Sequence, residues 1–418
     1  MPIDVAVIGT GEYVTGFHRD SNSQSDKAPG VVALTLFDLR RRGLVDRIAL
    51  VGRNGRQFPA IRRHMRNMIA NRYNGLDVAV ETFPSDQCVD PDAYLDAICA
   101  MPAGSVVIVA TPDDSHAHIA LHALRCNCHV LVLKPLVKSV GDHQSLISEA
   151  RQRDLLIAAE YHKRFDPIYA DARDRIRQFG DMSLMMSYMS QPKLQLDTFR
   201  AWAGLSSDIS YYLNAHHIDF HCWALAGIAR PIHVQASAAE GVAAKILGRR
   251  IEDAITLNVT WENLRSGALG VAHYTASWIA PPGDVHSQQR FFYMGSNGEV
   301  SIDQAHRGYS AATDSDGFAS LNPLFMKYTP TDGRFAGQSG YGYRSIEAFI
   351  EAAAAISAGL ARPSDYDTTL ATADATLTVT AILEAGRKSL DADGKRIMLH
   401  LDDGKDHGRQ APIEAFAI

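Results

Sequence analysis

Val5-Ala-Val-Ile-Gly9-Thr10-Gly11 is an apolar run that breaks into a glycine turn. A continuous run of small and β-branched apolar residues reads as a strand buried on both faces, the kind found in parallel sheets. The glycines allow a tight turn and let a ligand come close to the backbone. A second stretch, His129-Val-Leu-Val-Leu-Lys134-Pro135, repeats the apolar run and ends in a lysine and a proline. The proline removes a ladder donor and ends the strand. A lysine at the C-terminal end of a parallel strand faces the crevice where doubly wound sheets bind ligands.

Working outward, strand patterns fall at Asp4–Ile8, Arg47–Val51, Val78–Thr82, Val106–Ala110, His129–Leu133 and Leu155–Ala159. Helical patterns lie between them at Val31–Arg42, Pro59–Ile69, Asp92–Met101, Ser115–Cys126 and Asp142–Arg151. This alternation predicts an α/β domain with a doubly wound parallel sheet over residues 1–160. The polar stretch Ser21–Pro29 sits where the first crossover helix should begin and reads as an inserted loop, either a lid or a surface insertion. After Phe165-Asp-Pro167 the pattern changes. Strands are expected at Ser183–Ser190, Ile232–Ala238, Ala254–Trp261, Ala268–Ala276, Arg290–Met294 and Glu299–Ile302. Several of them alternate polar and apolar residues, as half-exposed antiparallel strands do. Helical segments are expected at Asp208–Leu225, Ser345–Ala358 and Thr368–Ser389. Residues 161–418 therefore read as an α+β C-terminal domain with an open, mainly antiparallel sheet. One face of that sheet lacks enough helices to cover it, so a homodimer or homotetramer is expected.

The chain of 418 residues is long enough for two cores, and its composition, 46% hydrophobic and 21% charged, is that of a globular protein. A net charge of -6 argues against nucleic acid as the partner. No run reaches the ~18 apolar residues needed to span a bilayer, and the first strand begins at once, so no signal peptide is expected. The 5 cysteines lack the spacing of a disulfide framework, which points to a reduced, cytoplasmic protein. Cys126-Asn-Cys128, the only close pair, reads as two incidental thiols rather than a metal site.

The chemistry-bearing residues cluster at the expected strand ends. Gly9-Thr10-Gly11-Glu-Tyr13-Val14 starts like a dinucleotide fingerprint, with Val14 at the third small position. The second strand runs into Gly52-Arg53-Asn54. An acid there would bind the ribose hydroxyl of NAD; glycine leaves room and Arg53 can grip a 2′-phosphate, favouring NADP(H) over NAD(H). Arg56, Arg62 and Arg63 add nearby charge, the last two as a solvated helix face. Thr111 and Pro112 follow the fourth strand and would line the nicotinamide side. His116 either joins them or is a plain helix N-terminal residue. Lys134, held at a dry crevice, should have a depressed pKa suited to proton transfer or to polarising a substrate oxygen. If the segment from Asp208 is one α-helix, Asp208, Tyr212, His216 and Asp219 share a face. His217 and His221 stand at metal-ligand spacing, but no third ligand is evident, so no metal is expected.

Read together, these motifs resemble the glucose–fructose oxidoreductase / inositol dehydrogenase (Gfo/Idh/MocA) family, from Val5 to about Leu401. Thr111-Pro112 with His116 is similar to its Thr-Pro…His segment. Leu133-Lys134-Pro135 is similar to its Glu-Lys-Pro motif, with Leu133 in place of the glutamate. Arg164-Phe165-Asp-Pro167 is similar to the segment opening its second domain, and His216-His-Ile-Asp219 to its active-site helix. The family's aspartate four residues before that histidine falls on Tyr212, so Tyr212 or Asp208 is expected to replace it. The resemblance implies a Rossmann domain and hydride transfer between a nicotinamide and a sugar or polyol carbon. His216 would be the acid/base, with Lys134 and Tyr212 beside it. The Tyr-His-Lys-Arg-Phe stretch and the doubled histidine resemble a uronate reductase subgroup. That implies a sugar-acid substrate, best D-galacturonate, with a neutral aldose or inositol as the alternative. Candidate substrate contacts are His162, Lys163, Arg164, Lys193, His217, Asp219 and Arg344, with Trp202, Trp278 and Tyr343 as a stacking wall. Proteins of this fold that bind dinucleotide and sugar without turnover form the non-enzymatic alternative.

Overall fold

Strands β1 (Ile3–Ile8), β2 (Val45–Val51), β3 (Glu81–Phe83), β4 (Val106–Val109), β5 (His129–Leu133) and β6 (Ile157–Glu160) form one parallel sheet in the order β3-β2-β1-β4-β5-β6. The computed structural model describes residues 2–18, 27, 29–315, 317–400 and 415–417. The inserted loop expected at Ser21–Pro29 lies mostly outside the described residues, as does Leu401. The chain divides into two compact units. Unit 1 is Met1–Val137, Asp142–Asp166 and Pro323–Ala375; unit 2 is Lys138–Gly141, Pro167–Asn322 and Thr376–Ile418.

In unit 1 the four central strands bury their Val and Ile side chains on both faces, as their unbroken apolar runs require. The order reverses at β1, which pairs with β2 on one side and β4 on the other. This is the switch point at which ligands bind outside the carboxyl ends of the strands. β3 is a three-residue edge strand, starting at Glu81 rather than Val78. The outer edge of β6 is covered by a bridge from Ala158 to Thr372 and a bond from Ala159 N–H to the Ala371 carbonyl.

The domain boundary drawn at 160/161 needs correcting, because residues 323–375 cluster with the first unit. The reason is apolar. The Tyr341–Ser357 helix sends Ile346, Phe349, Ile350 and Ala353 into the cluster that holds Val5, Leu34, Phe37 and Leu131. Polar contacts fix its register. The Tyr343 hydroxyl donates to Asp38 at 2.7 Å, Arg42 donates to Tyr343 at 2.7 Å, and Glu347 pairs with both Arg42 and Arg344.

Unit 2 carries β7 (Met182–Pro192), β8 (Ala229–Glu240), β9 (Glu252–Asn263), β10 (Leu269–Ala280), β11 (Gln288–Gly295) and β12 (Gly298–Asp303). A ribbon follows, β13 (Ser310–Thr313) with β14 (Gly317–Ser320), then β15 (Ile397–Leu399) and β16 (Ala415–Ala417). The main sheet runs β12-β11-β7-β10-β9-β8-β15-β16 and is antiparallel except for β10 against β7. β9 alternates strictly, burying Ile255, Leu257, Val259 and Trp261 and leaving Thr256, Asn258 and Thr260 part-exposed. The buried face meets the Ala215–Leu225 helix through Phe220 on Phe291 and His221 on Trp261. The opposite face exposes Met186, Val271 and Met294.

Candidate active site

One group of candidate residues gathers where β1, β4, β5 and β6 end in unit 1. Gly9 has φ +116°, and a Cβ there would stand 2.2 Å from the Ala110 carbonyl oxygen, so only glycine fits between β1 and β4. A Cβ on Gly11 would meet nothing within 4 Å, so this turn faces open space, as a pyrophosphate approach requires. Val14 is buried and supports a single helical turn, Glu12–Thr15, that ends at Gly16 with φ 73°. Gly52 sits against Thr10, Arg53 is exposed, and the Asn54 side chain caps the turn by accepting from Arg56 N–H at 3.2 Å. Among the described residues Arg53 has no side-chain partner, whereas Arg62 is paired with Asp86. These residues fit a dinucleotide.

His116 corrects its expected role. Both ring nitrogens are bound to backbone carbonyls at 2.9 Å, one to Pro135 and the other to Thr111. It ties the loop after β4 to the end of β5 and so positions Thr111, Pro112 and Lys134. Ser115 adds a bond from its hydroxyl to that of Thr111 at 2.7 Å.

Lys134 closes β5 and stands before a cis peptide to Pro135. Burial pulls its ammonium down to about 8, while the charges of Asp113 and Glu160 hold it from falling further. Glu160, which the sequence reading left outside the sixth strand, is buried near the half-buried Lys134. It accepts from Ser345 at 2.6 Å and, weakly, from Tyr13 at 3.4 Å, and lies 3.2 Å from His162 Nδ1. Burial, and then Glu160, push the Tyr13 phenol well above its usual range, keeping it protonated as a donor. The His162 ring stacks on Tyr341 at 5.5 Å.

Several residues expected to contact substrate in unit 1 are buried or paired within the protein. Lys163 and Arg164 are buried, and Arg164 donates to the Leu370 carbonyl at 2.9 Å. Arg344 is committed to Glu347, and Tyr343 to Asp38.

A separate group of candidate residues lies in unit 2. Ser210–Asn214 is a π-turn rather than α-helix, and α-helix resumes at Ala215. The wider turn breaks the strict four-residue stacking of Asp208, Tyr212 and His216. Asp208 is not a relay group. Its buried carboxylate accepts from the N–H groups of Ser210 and Tyr211 at 2.8 and 2.9 Å and pairs with Arg387 at 3.3 Å. Tyr212 remains the candidate at that position, packed edge-on against Phe199 and tilted on Trp202, both at 5.1 Å. Trp202 also lies 6.2 Å from Trp278, whose indole donates to the Glu252 carbonyl at 2.7 Å. His216 and Asp219 are buried in the first turns of the helix.

His217 is not available to substrate. Its Nε2 meets the Tyr169 hydroxyl and its Nδ1 the Ser187 hydroxyl, both at 2.9 Å. His221 meets Tyr274 at 2.5 Å and is driven down to about 3 by burial. Among the described residues, no third His, Cys, Asp or Glu joins the pair in a cluster. Lys193 is exposed at the end of β7 and has no side-chain partner among the described residues.

Residues 3–161 match the model of an oxidoreductase family with an NAD-binding Rossmann fold, GFO_IDH_MocA. Over this stretch, less than half of the chain, the sequence is similar to that family. Among curated relatives, the uncharacterised oxidoreductase YhhX of Escherichia coli K12 is 27% identical over 141 residues, 34% of this chain and 40% of that protein. The scyllo-inositol 2-dehydrogenase (NAD(+)) of Bacillus subtilis 168 is 29% identical over 75 residues, 18% of this chain and 22% of that protein. The chain thus matches two-fifths or less of the length of these relatives. The likeness of fold runs further. GenD2 from gentamicin A biosynthesis, solved in complex with NAD, superposes with a TM-score of 0.66 at 20% identity, covering 96% of this chain and 97% of that one. No helix among the described residues is long and apolar enough to cross a membrane.

Proposed function

We propose that this protein is a nicotinamide-dependent oxidoreductase acting on a sugar or polyol, interconverting an alcohol and a carbonyl carbon. The observation that carries this reading is Lys134, desolvated at the end of β5 with its ammonium lowered to about 8. A buried cation with a pKa near neutrality is what stabilises a developing alkoxide without being locked in one protonation state. When bound, the nicotinamide gives or takes the hydride. His216 moves the proton on the substrate oxygen, Tyr212 donates in its relay, and Lys134 holds the oxygen's charge. Positioned acid–base groups contribute about 10²–10⁴-fold, so Lys134→Ala and His216→Ala should each lower turnover by that order while cofactor binding persists. Near-normal turnover in both refutes the assignment. Tight cofactor binding with no turnover on any sugar makes the protein a dinucleotide-binding regulator.

NADP(H) is favoured over NAD(H), because Arg53 is exposed, has no side-chain partner among the described residues and follows a glycine. Arg53→Ala should weaken NADPH binding at least tenfold and leave NADH binding unchanged. A neutral polyol or aldose suits the burial of Lys163 and Arg164 and the pairing of Arg344, and it agrees with the inositol dehydrogenase among the relatives. Lys193 is what favours the second reading, a hexuronate such as galacturonate, since a partner-free exposed cation can take a carboxylate. NADPH oxidation with galacturonate against galactose decides between them, and Lys193→Ala should remove any preference for the acid. Self-association through the exposed Met186, Val271 and Met294 face of unit 2 completes the proposal; light scattering at 45.7 kDa would refute it.

A further inference from the structure

The thiols that looked incidental along the chain meet a partner 27 residues away. Cys99 ends the Ala93–Cys99 helix, and Cys126 caps the His116–Arg125 helix. Their sulfurs lie 3.0 Å apart. His122, one helical turn before Cys126, places Nε2 3.5 Å from the Cys99 sulfur and 3.7 Å from that of Cys126. All three ligand atoms lie within 4.8 Å of one another. Cys128, the neighbour in sequence, turns away; its buried thiol faces the Cys126 carbonyl at 3.8 Å.

We propose that Cys99, His122 and Cys126 form a surface site for a thiophilic metal ion of the Zn²⁺ class, separate from the nicotinamide and sugar chemistry. Tetrahedral zinc, with Zn–S about 2.3 Å and Zn–N about 2.0–2.1 Å, separates S from N by about 3.6 Å and S from S by about 3.8 Å. The two S···N distances already bracket the first value. The sulfurs must part by about 0.8 Å, which exposed Cys99 can supply by side-chain rotation. A disulfide would need the sulfurs but not the imidazole, which is aimed at both of them. The metal takes the Nε2 lone pair, so the ring hydrogen sits on Nδ1 and the Leu95 carbonyl, 3.3 Å from Nε2, stays a bystander. Two thiolates neutralise a dication. Water or a small-molecule thiolate fills the fourth position. Binding releases the thiol protons and cross-links two helices of unit 1.

The test uses the full chain, reduced and stripped with a chelator, titrated with Co²⁺ and then Zn²⁺. Wild type should take up one Co²⁺ with a thiolate-to-cobalt charge-transfer band, displaced by Zn²⁺. C99S and C126S should each lose about half of that band and at least tenfold in affinity. H122A should lose at least tenfold in affinity but keep the sulfur band, and C128S should behave as wild type. A reduced chain that gives no sulfur–cobalt band overturns the proposal. So does a band that survives both C99S and C126S, or uptake lost equally in C128S.

Discussion

The depressed Lys134 pKa makes a prediction that needs no substrate. An ordinary lysine titrates near 10.5 and this one near 8, a gap of 2.5 units. At about 1.36 kcal/mol per unit, the native state carries about 3 kcal/mol of strain from the buried ammonium. The sign follows from proton counts. Below pH 8 both folded and unfolded chains hold the proton, and the native state bears the full desolvation cost. Between pH 8 and 10.5 the unfolded chain still holds it while the native chain has lost it, so stability rises with pH. Above 10.5 neither is charged and the contribution is flat. Lys134→Met removes the group. It should be more stable than wild type by about 3 kcal/mol at pH 7, and the advantage should shrink to about 1 kcal/mol by pH 10. Urea unfolding of both proteins at pH 7, 8, 9 and 10, without cofactor, gives the difference directly, and the other titrating groups cancel in it. A difference that stays constant across this range would falsify the claim that Lys134 is held desolvated.

Three further outcomes follow from the same packing. His217→Ala strands the Tyr169 and Ser187 hydroxyls and should cost about 2–5 kcal/mol in urea unfolding, while the fraction that folds keeps its turnover; a large loss of turnover at unchanged stability would restore His217 to the site. Tyr343→Phe removes a donor to buried Asp38 and should cost about 1–3 kcal/mol, read from the same unfolding curves, with no change in KM for any sugar. Gly9→Ala forces a Cβ onto the Ala110 carbonyl and should weaken NADPH binding at least tenfold by fluorescence titration; wild-type affinity would show that β1 and β4 part easily.

Much of the fold was legible because it is written locally. The parallel strands are unbroken Val/Ile runs and those of unit 2 alternate, and both patterns follow from which faces are buried. What escaped was long-range or depended on backbone geometry. Nothing around residues 323–375 says which sheet they cover, since the apolar stripe of the Tyr341–Ser357 helix would suit either one. The π-turn at Ser210–Asn214 is invisible to spacing arithmetic, so Asp208 passed for a relay group when it is a cap. Lys134, Gly9 and Arg53 stood out as candidates because strand ends advertise themselves. Glu160 was missed because the sixth strand was ended one residue early. Cys99 was missed because its partners lie on another helix.

The helix that completes the first core has a consequence for biosynthesis. The nucleotide-fold sheet is translated by residue 160, yet the Tyr341–Ser357 segment that seals part of its apolar surface emerges nearly two hundred residues later. Chains fold as they leave the ribosome, so this sheet must persist half-covered, its Val, Leu and Phe side chains wet, while most of unit 2 is made. A nascent chain stalled between the two segments would present an apolar face that holdase chaperones bind. Excising residues 1–160 as a minimal nucleotide-binding fragment would make that transient exposure permanent.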